Sequence, residues 1–283
     1  MNHLKTKLKD KIGIVGHGYV GQAMEKFFET HYPVTVYDEI KKLGNQQAIN
    51  NCDVVYVCVP TQENPHNGRC TTHIVFLVME WIDAPYIVIK STIEPGTIDK
   101  LKEMYPDKRI VFAPEFCGES TYWSPYQWDR DVAETPFFIF GGDPDDTKRI
   151  VDLYLPITGP VKQYRQTSAK AAEITKYVIN SFAATKIAFA YEIANICNAA
   201  DVDYNEVREL WMLDPRVNPM HTAVFDANDE AFGGKCLPKD ISALASWAAE
   251  ELGYDPLLLR EVLTSNERIG EHRRSKRDEV AVE

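Results

Sequence analysis

An α/β architecture, a doubly wound parallel sheet followed by a smaller all-helical domain with a long central helix, is predicted by three observations. Short apolar runs alternate with helical stretches through the first half of the chain. A glycine pattern of the phosphate-binding type joins the first apolar run to the first helix. An alanine-rich segment without glycine or proline, residues 168–200, opens the second half. The expected division is residues 1–165 for the sheet domain and 166–283 for the helical one.

The strands come first. "KIGIV" (11–15), "VTVYD" (34–38), "DVVYVCVP" (53–60), "YIVIKST" (86–92), "RIVFAPEF" (109–116) and "FFIFGG" (137–142) are strand candidates. Several are apolar throughout, as strands covered on both faces are. Helical stretches such as "GQAMEKFFETHY" and "HIVFLVMEWIDA" separate them, the rhythm of a doubly wound sheet. The segment 168–200 reads as one helix, apolar over most of its surface and therefore buried or shared with a partner. Further helices are expected at 204–212, 239–252 and 256–272, and the charged end "EHRRSKRDEVAVE" is expected to fray.

Composition narrows the classes of function. A chain of 283 residues, 45% hydrophobic, can bury a sizeable core. Its net charge of −11 repels nucleic acid and acidic membranes, so an anionic ligand needs local help from lysine, arginine or helix N-termini. No run of about 18 apolar residues suggests a membrane span. The start "MNHLKTKLKDKIGIVG" has no signal-peptide core. Cys52, Cys58, Cys70, Cys117, Cys197 and Cys236 follow no disulfide or zinc spacing and read as reduced thiols of a cytoplasmic protein; no metal is expected.

"GIVGHGYVGQA" holds Gly16, Gly18 and Gly21 in the spacing GxGxxG, with Tyr19 and Val20 between them. The pattern follows a strand, opens a helix, and is followed about 20 residues on by an acidic residue, Asp38, at the end of the next strand. Gly16 permits the tight turn, Gly18 lets the backbone approach a pyrophosphate, and Gly21 lets helix and strand pack closely. Asp38 suits the adenosine ribose hydroxyls and favours NAD over NADP, a preference that Lys41 and Lys42 soften. These residues point to a Rossmann-type NAD site in the sheet domain; an ordinary glycine turn is the alternative. Ligands of such sheets lie beyond the carboxyl ends of the strands, where Pro60, Thr61 and Thr92 would face the nicotinamide; Ser91 and Thr92 serve equally well as helix N-caps.

In "FGGKCLPKD" (232–240), Cys236 precedes a helix and stands between Lys235 and Lys239, a setting that favours thiolate. Thiolate and NAD together suggest oxidation of an aldehyde through a thiohemiacetal, followed by hydrolysis of the thioester. Packing is the alternative for this cysteine. Lys176 and Asn180, four apart, share one helix face and suit an oxyanion, or else are a solvated pair. Glu115 and Glu119 could position water, or else face solvent.

At this point the chain resembles the UDP-glucose/GDP-mannose dehydrogenase family of nucleotide-sugar dehydrogenases. The matching stretches are "GIVGHGYVG", "VPT", "KSTIEPGT", "APEFCGES", "AAEITKYVINSFAATKIAFAYEIANIC", "LDPRVN" and "FGGKCLPKD", from residue 12 to about 267. The resemblance implies a four-electron oxidation of a UDP- or GDP-hexose to the uronic acid, using two NAD per turnover, in a homodimer built through the helical domain. It implies Cys236 as the thioester-forming nucleophile, Lys176 and Asn180 as the oxyanion-stabilising pair, and Asp240 as the carboxylate working with an ordered water. Thr92 falls near that water and the nicotinamide, Glu119 where the thioester is hydrolysed, and Glu115 with Phe116 beside the substrate. Arg216 resembles an arginine that reaches the partner's substrate, and Phe232 and Gly233 sit where the cysteine loop meets the nucleotide sugar.

Three features depart from the family. Members continue into a second Rossmann-like domain, whereas this sequence ends at Glu283: either it is a piece of a longer chain, or the missing half is another polypeptide, or it is a naturally short form. Ala231 stands where a glycine is frequent. The aromatic stretch "STYWSPYQWDRD" (120–131), with Trp123 and Trp128, is unusual; it suits either an added surface over the site or a packed loop. Two other readings stay open: a two-electron hydroxy-acid dehydrogenase, and a non-catalytic NAD- or nucleotide-binding remnant.

Overall fold

The structure, a computed structural model, describes residues 8–116, 131–225 and 231–280, with side chains as far as Glu271. The chain divides into two compact units, Met1–Gln62 with Cys70–Lys176, and Glu63–Arg69 with Tyr177–Glu283.

Unit 1 is the expected sheet. Its strands are β1 (Ile12–Val15), β2 (Val34–Tyr37), β3 (Val54–Val57), β4 (Tyr86–Ile89), β5 (Arg109–Phe112), β6 (Phe137–Gly141) and β7 (Gln163–Thr167), in the order β2-β1-β3-β4-β5-β6-β7. Neighbours are parallel except β5 and β6, which meet antiparallel at Phe112 and Gly141. The order runs outward in both directions from β1, so the crevice between the ends of β1 and β3 is the switch point at which such sheets bind ligands. The helices α1 (Tyr19–Glu29), α2 (Gln46–Asn50), α3 (His73–Trp81), α4 (Thr97–Met104) and α5 (Pro144–Thr158) join the strands. The all-apolar strands β1 and β3 are buried along their whole length, and two apolar clusters form the core. One gathers Val55, Val57, Ile87, Ile89 and Phe112 with α3 and α4; the other gathers Ile12, Ile14, Tyr56 and Val88 with the aromatic residues of α1, α5 and β6.

The 31-residue helix α6 (Ala169–Ala199) begins in unit 1 and continues in unit 2. In unit 1 its Glu173 is fully buried and accepts the Gly96 N–H (2.6 Å) and the Ile98 N–H (2.9 Å) at the start of α4. Unit 2 adds α7 (Tyr204–Trp211), α8 (Leu237–Leu252) and α9 (Leu257–Val280). Alanines of α6 admit Phe232, Ile241 and Val262 to a third core cluster. Residues 63–69 lie on α8: Ser242 Oγ donates to the Gly68 carbonyl (3.2 Å), and Arg69 pairs with Glu250 and Glu251.

The differences from expectation are local. β7 reads "QYRQT" and carries no apolar run. The charged end does not stop the last helix, which continues to Val280, because Arg, Lys and Glu are good helix formers.

Burial pushes the Glu173 carboxyl up to about 7, against the pull of its two N–H donors and Lys170 and with a further push from Asp99. A carboxyl that holds its proton more tightly in the folded chain stabilises fully below its ordinary value of 4.5, and that contribution is lost as pH rises to about 7. Glu173→Gln removes the titration. Relative to this variant, the wild type is expected to lose on the order of 2–3 kcal/mol between pH 5 and pH 8 in denaturant melts. Parallel stability curves would contradict this.

Candidate active site

The glycine turn is built by close contact. A Cβ on Gly16 would lie 2.5 Å from the Cys58 carbonyl oxygen, and Gly16 has φ +89°, so no other residue fits this approach to the end of β3. A Cβ on Gly21 would meet the Gly16 carbonyl oxygen at 2.0 Å, which brings α1 hard against the turn. A Cβ on Gly18 would meet nothing within 4 Å, and its φ of −73° is ordinary. Protein packing therefore accounts for Gly16 and Gly21 but not for Gly18, whose open side at the start of α1 suits the close approach of a pyrophosphate.

Asp38 ends β2 beside this turn. Its Oδ2 accepts the His17 N–H (2.7 Å) and its Oδ1 the Lys41 N–H (2.8 Å), while Lys41 Nζ donates to the His17 carbonyl (2.5 Å). Burial pushes the Asp38 carboxyl up, but the N–H donors of Lys41, His17 and Ile40 and the Lys41 ammonium together hold it below its ordinary value. It is thus a fixed anion, suited to ribose hydroxyls. Exposed Tyr19 and half-buried Val20 open α1. These residues fit a dinucleotide.

The ends of β3, β4 and β5 lie side by side, which brings Pro60, Thr61, Thr92, Glu115 and Phe116 to the carboxyl edge of the sheet. Ser91 Oγ donates to the Val59 carbonyl (2.7 Å), and the Cys70 thiol to the carbonyls of Thr92 (3.4 Å) and Thr61 (3.8 Å). Neither Ser91 nor Thr92 caps a helix, since α4 starts after Gly96. Glu115 is buried rather than solvent-facing: its Oε2 lies 3.0 Å from Lys90 Nζ, and its Oε1 accepts the Phe116 N–H (2.8 Å). Lys176 is buried as well, with its ammonium donating to the Glu115 carbonyl (2.7 Å) and lying 5.3 Å from the Phe116 ring centre. The solvated-pair alternative for Lys176 is excluded.

In unit 2, Asp240 is 1% exposed. Its Oδ2 accepts Asn180 Nδ2 (2.6 Å) and its Oδ1 Lys239 Nζ (2.5 Å). Cys236 sits at the N-cap of α8, its carbonyl taking the Asp240 N–H one turn on (2.9 Å), and the residue is exposed. Core packing is therefore not its role. The helix start puts partial positive charge beside the sulfur, whereas the Lys239 ammonium is engaged by Asp240. Phe232 is a core residue whose backbone N–H and carbonyl both bond the Asn266 side chain (2.8 and 2.9 Å), which fixes the loop while Gly233 stays exposed. Arg216 is 89% exposed at its side chain and bonds Asp214 within its own loop.

Glu119 and the stretch containing Trp123 and Trp128 lie outside the described residues. Among the described residues no group of three or more His, Cys, Asp or Glu side chains could hold a metal, and no helix is long and apolar enough to cross a membrane. Sequence reasoning missed Lys90, Cys70 and Asn266. Lys90 alone left a signal, a charge at the end of the apolar run "YIVIK".

The parallel sheet of unit 1, with its glycine turn at the switch point, is a Rossmann-type fold. The chain belongs to the UDP-glucose/GDP-mannose dehydrogenase family, whose central domain matches residues 170–268. It is 32% identical over 191 residues to the GDP-mannose 6-dehydrogenase of Azotobacter vinelandii, covering 64% of this chain and 41% of that one. It is 30% identical over 230 residues to the UDP-glucose 6-dehydrogenase of Rickettsia bellii, covering 78% and 50%. The chain thus spans about half the length of the curated relatives it matches. Its fold matches the UDP-glucose dehydrogenase structure from Pyrobaculum islandicum with a TM-score of 0.79 at 21% identity, over 93% of this chain and 69% of that one.

Because the Gly18 side is open, Gly18→Ala is expected to leave stability within about 0.5 kcal/mol of wild type while weakening NAD binding by at least about tenfold, read by calorimetric titration. Unchanged NAD affinity would contradict the placement of the pyrophosphate.

Proposed function

We propose that this chain catalyses the NAD-dependent, four-electron oxidation of a nucleotide-diphosphate hexose to its uronic acid, with residues 1–165 as the NAD-binding domain and 166–283 as the helical domain carrying the nucleophile. The observation that carries this reading is the cluster of unit 2: a buried Asp240 clamped by Asn180 and Lys239, one helical turn from an exposed Cys236. A packing or surface role needs neither the burial of that carboxylate nor the exposure of that thiol.

The glycine turn, with Gly16, Gly18, Tyr19, Val20 and Gly21, holds the pyrophosphate; Asp38 holds the adenosine ribose; Pro60, Thr61 and Thr92 border the nicotinamide. NAD, when bound, supplies the hydride acceptor for both oxidations. The sugar C6 hydroxyl gives up its proton to water held by Asp240, with the Lys176 ammonium stabilising the developing alkoxide. Once C6 is an aldehyde, the Cys236 sulfur adds to it, and the carbonyl oxygen becomes an oxyanion held by Lys176 Nζ and Asn180 Nδ2. Loss of the second hydride leaves a thioester on Cys236. Water, activated by Glu119, opens it to release the carboxylic acid and return the thiol. Glu115, Phe116, Phe232 and Gly233 shape the sugar-nucleotide side, Glu115 and Phe232 from buried positions. The partition between UDP- and GDP-sugars follows from a substrate panel.

We also infer a homodimer through the helical domain. Val178, Phe182, Phe189 and Ile196 are exposed along α6, and Arg216 extends from the surface. Apolar side chains repeated along one helix are costly to leave in water. Replacing Phe182 and Phe189 by Asp is expected to convert a dimer to monomer in sedimentation velocity; a wild type that sediments as a monomer contradicts it.

The central test is a count. Wild type incubated with NAD and UDP- or GDP-sugars is expected to form two NADH per sugar consumed. Cys236→Ala is expected to reduce acid formation at least about a thousandfold, since removal of a nucleophile leaves only background rates. One NADH per sugar, or full acid production without the thiol, would overturn the covalent route.

A further inference from the structure

Lys90 is the part of unit 1 that no role above employs. It follows β4 as a lysine at the end of an apolar strand, and its side chain is 4% exposed. Burying an ammonium is unfavourable unless it is paired, and here the pairing is specific. Lys90 Nζ lies 3.0 Å from Glu115 Oε2 and 3.3 Å from the Pro114 carbonyl oxygen. Both contacts fall on the segment that leaves β5, and the next acceptor along it, the Glu115 carbonyl, receives the Lys176 ammonium at 2.7 Å. Glu115 thus faces two lysines with two different oxygens: its carboxylate meets Lys90 and its backbone carbonyl meets Lys176.

We propose that Lys90 is a positioning residue for Lys176, acting through Glu115: it occupies the Glu115 carboxylate and so leaves the Lys176 ammonium on the neutral carbonyl. The inference rests on the reading above in which Lys176 serves the substrate. A carboxylate is the stronger acceptor and binds an ammonium as an ion pair. A lysine drawn into that pair would leave the carbonyl, turn away from its working position and hold its proton more tightly. The Phe116 N–H on Oε1 locks the carboxylate from the other side, so its two oxygens are separately held. Cys58 and Tyr154, both buried, are further titratable groups in the field of Glu115; burial pushes the Cys58 thiol up to about 12, so it stays neutral and does not replace either charge.

The test reads Lys176 directly. The 13Cε resonance of Lys176 in lysine-labelled protein, assigned by its loss in Lys176→Met, is followed against pH. In Lys90→Met the carboxylate is left for Lys176, and the titration midpoint is expected to rise by about one pH unit or more. In Lys90→Arg, which keeps the charge, it is expected to stay at the wild-type position. In Lys90→Met/Glu115→Gln, where neutral groups replace the buried pair and folding is the less threatened, it is also expected at the wild-type position. An unchanged midpoint in Lys90→Met overturns the proposal. So does a fall of about one pH unit in the double variant, which would show that the carboxylate already holds Lys176; this outcome is readable even if Lys90→Met alone does not fold. The resonance reports whether or not the protein turns over a nucleotide sugar. Absent turnover with the expected shifts therefore refutes the proposed function and leaves the positioning role standing. Where turnover is present, the pH–rate profile of Lys90→Met is expected to move to higher pH by the same amount.

Discussion

A carboxylate that is almost wholly removed from water, Asp240, organises the thiol-bearing part of this molecule. Its charge is held by two donors of different kinds, the Asn180 amide and the Lys239 ammonium. Lys239 is its neighbour on α8, so it is the Asn180 amide, a donor to a charged acceptor at about 1.5–3 kcal/mol, that holds α6 and α8 in one arrangement. That arrangement fixes the Asn180 amide on α6 and the first turn of α8, at whose cap Cys236 stands. The alanines of α6 matter here for their size: Ala184 and Ala188 are buried against Phe232 and Ile241 and keep the two helices close.

Unit 1 uses a different constraint, backbone against backbone. Gly21 and Gly16 leave no room for a side chain, and the Gly16 turn rests on the end of β3. The neighbouring strand ends are then tied to one another by the Ser91 hydroxyl and the Cys70 thiol, side chains that bond main-chain carbonyls rather than ligand. A rim built in this way is stiff, and it leaves Thr61 and Thr92 half-buried at its edge. The Lys90–Glu115 pair does the same for the end of β5. Rigid strand ends with polar groups at their tips are what an oriented hydride transfer requires.

Much of this was legible in the residues. The glycine spacing, the acidic residue after β2 and the apolar strands led directly to the sheet, because each is a steric or burial requirement that sequence records. Cys236 was legible through its neighbours, and α6 through its length. β7 was not: it is a polar edge strand, stabilised by pairing with β6 rather than by composition. Strand direction was not legible either, since the apolar character of β5 and β6 is the same whichever way they meet, and they meet antiparallel. The partners of Glu115, Asn180 and Phe232 lie between 25 and 61 positions away along the chain or are backbone atoms, so no local pattern signals them. The loop 63–69 is a part of unit 2 that sequence order assigns to its neighbours.

The proposed oxidation turns on carbon–sulfur bond formation at Cys236. The most direct measurement is rapid acid quench of the protein during turnover of a nucleotide sugar with NAD, followed by peptide mass spectrometry. A transient mass increase on the peptide containing Cys236, equal to the acyl group of the sugar nucleotide and absent without NAD, is expected. Steady production of uronic acid with that peptide unmodified at every quench time, and with Cys236→Ala equally active, would contradict it.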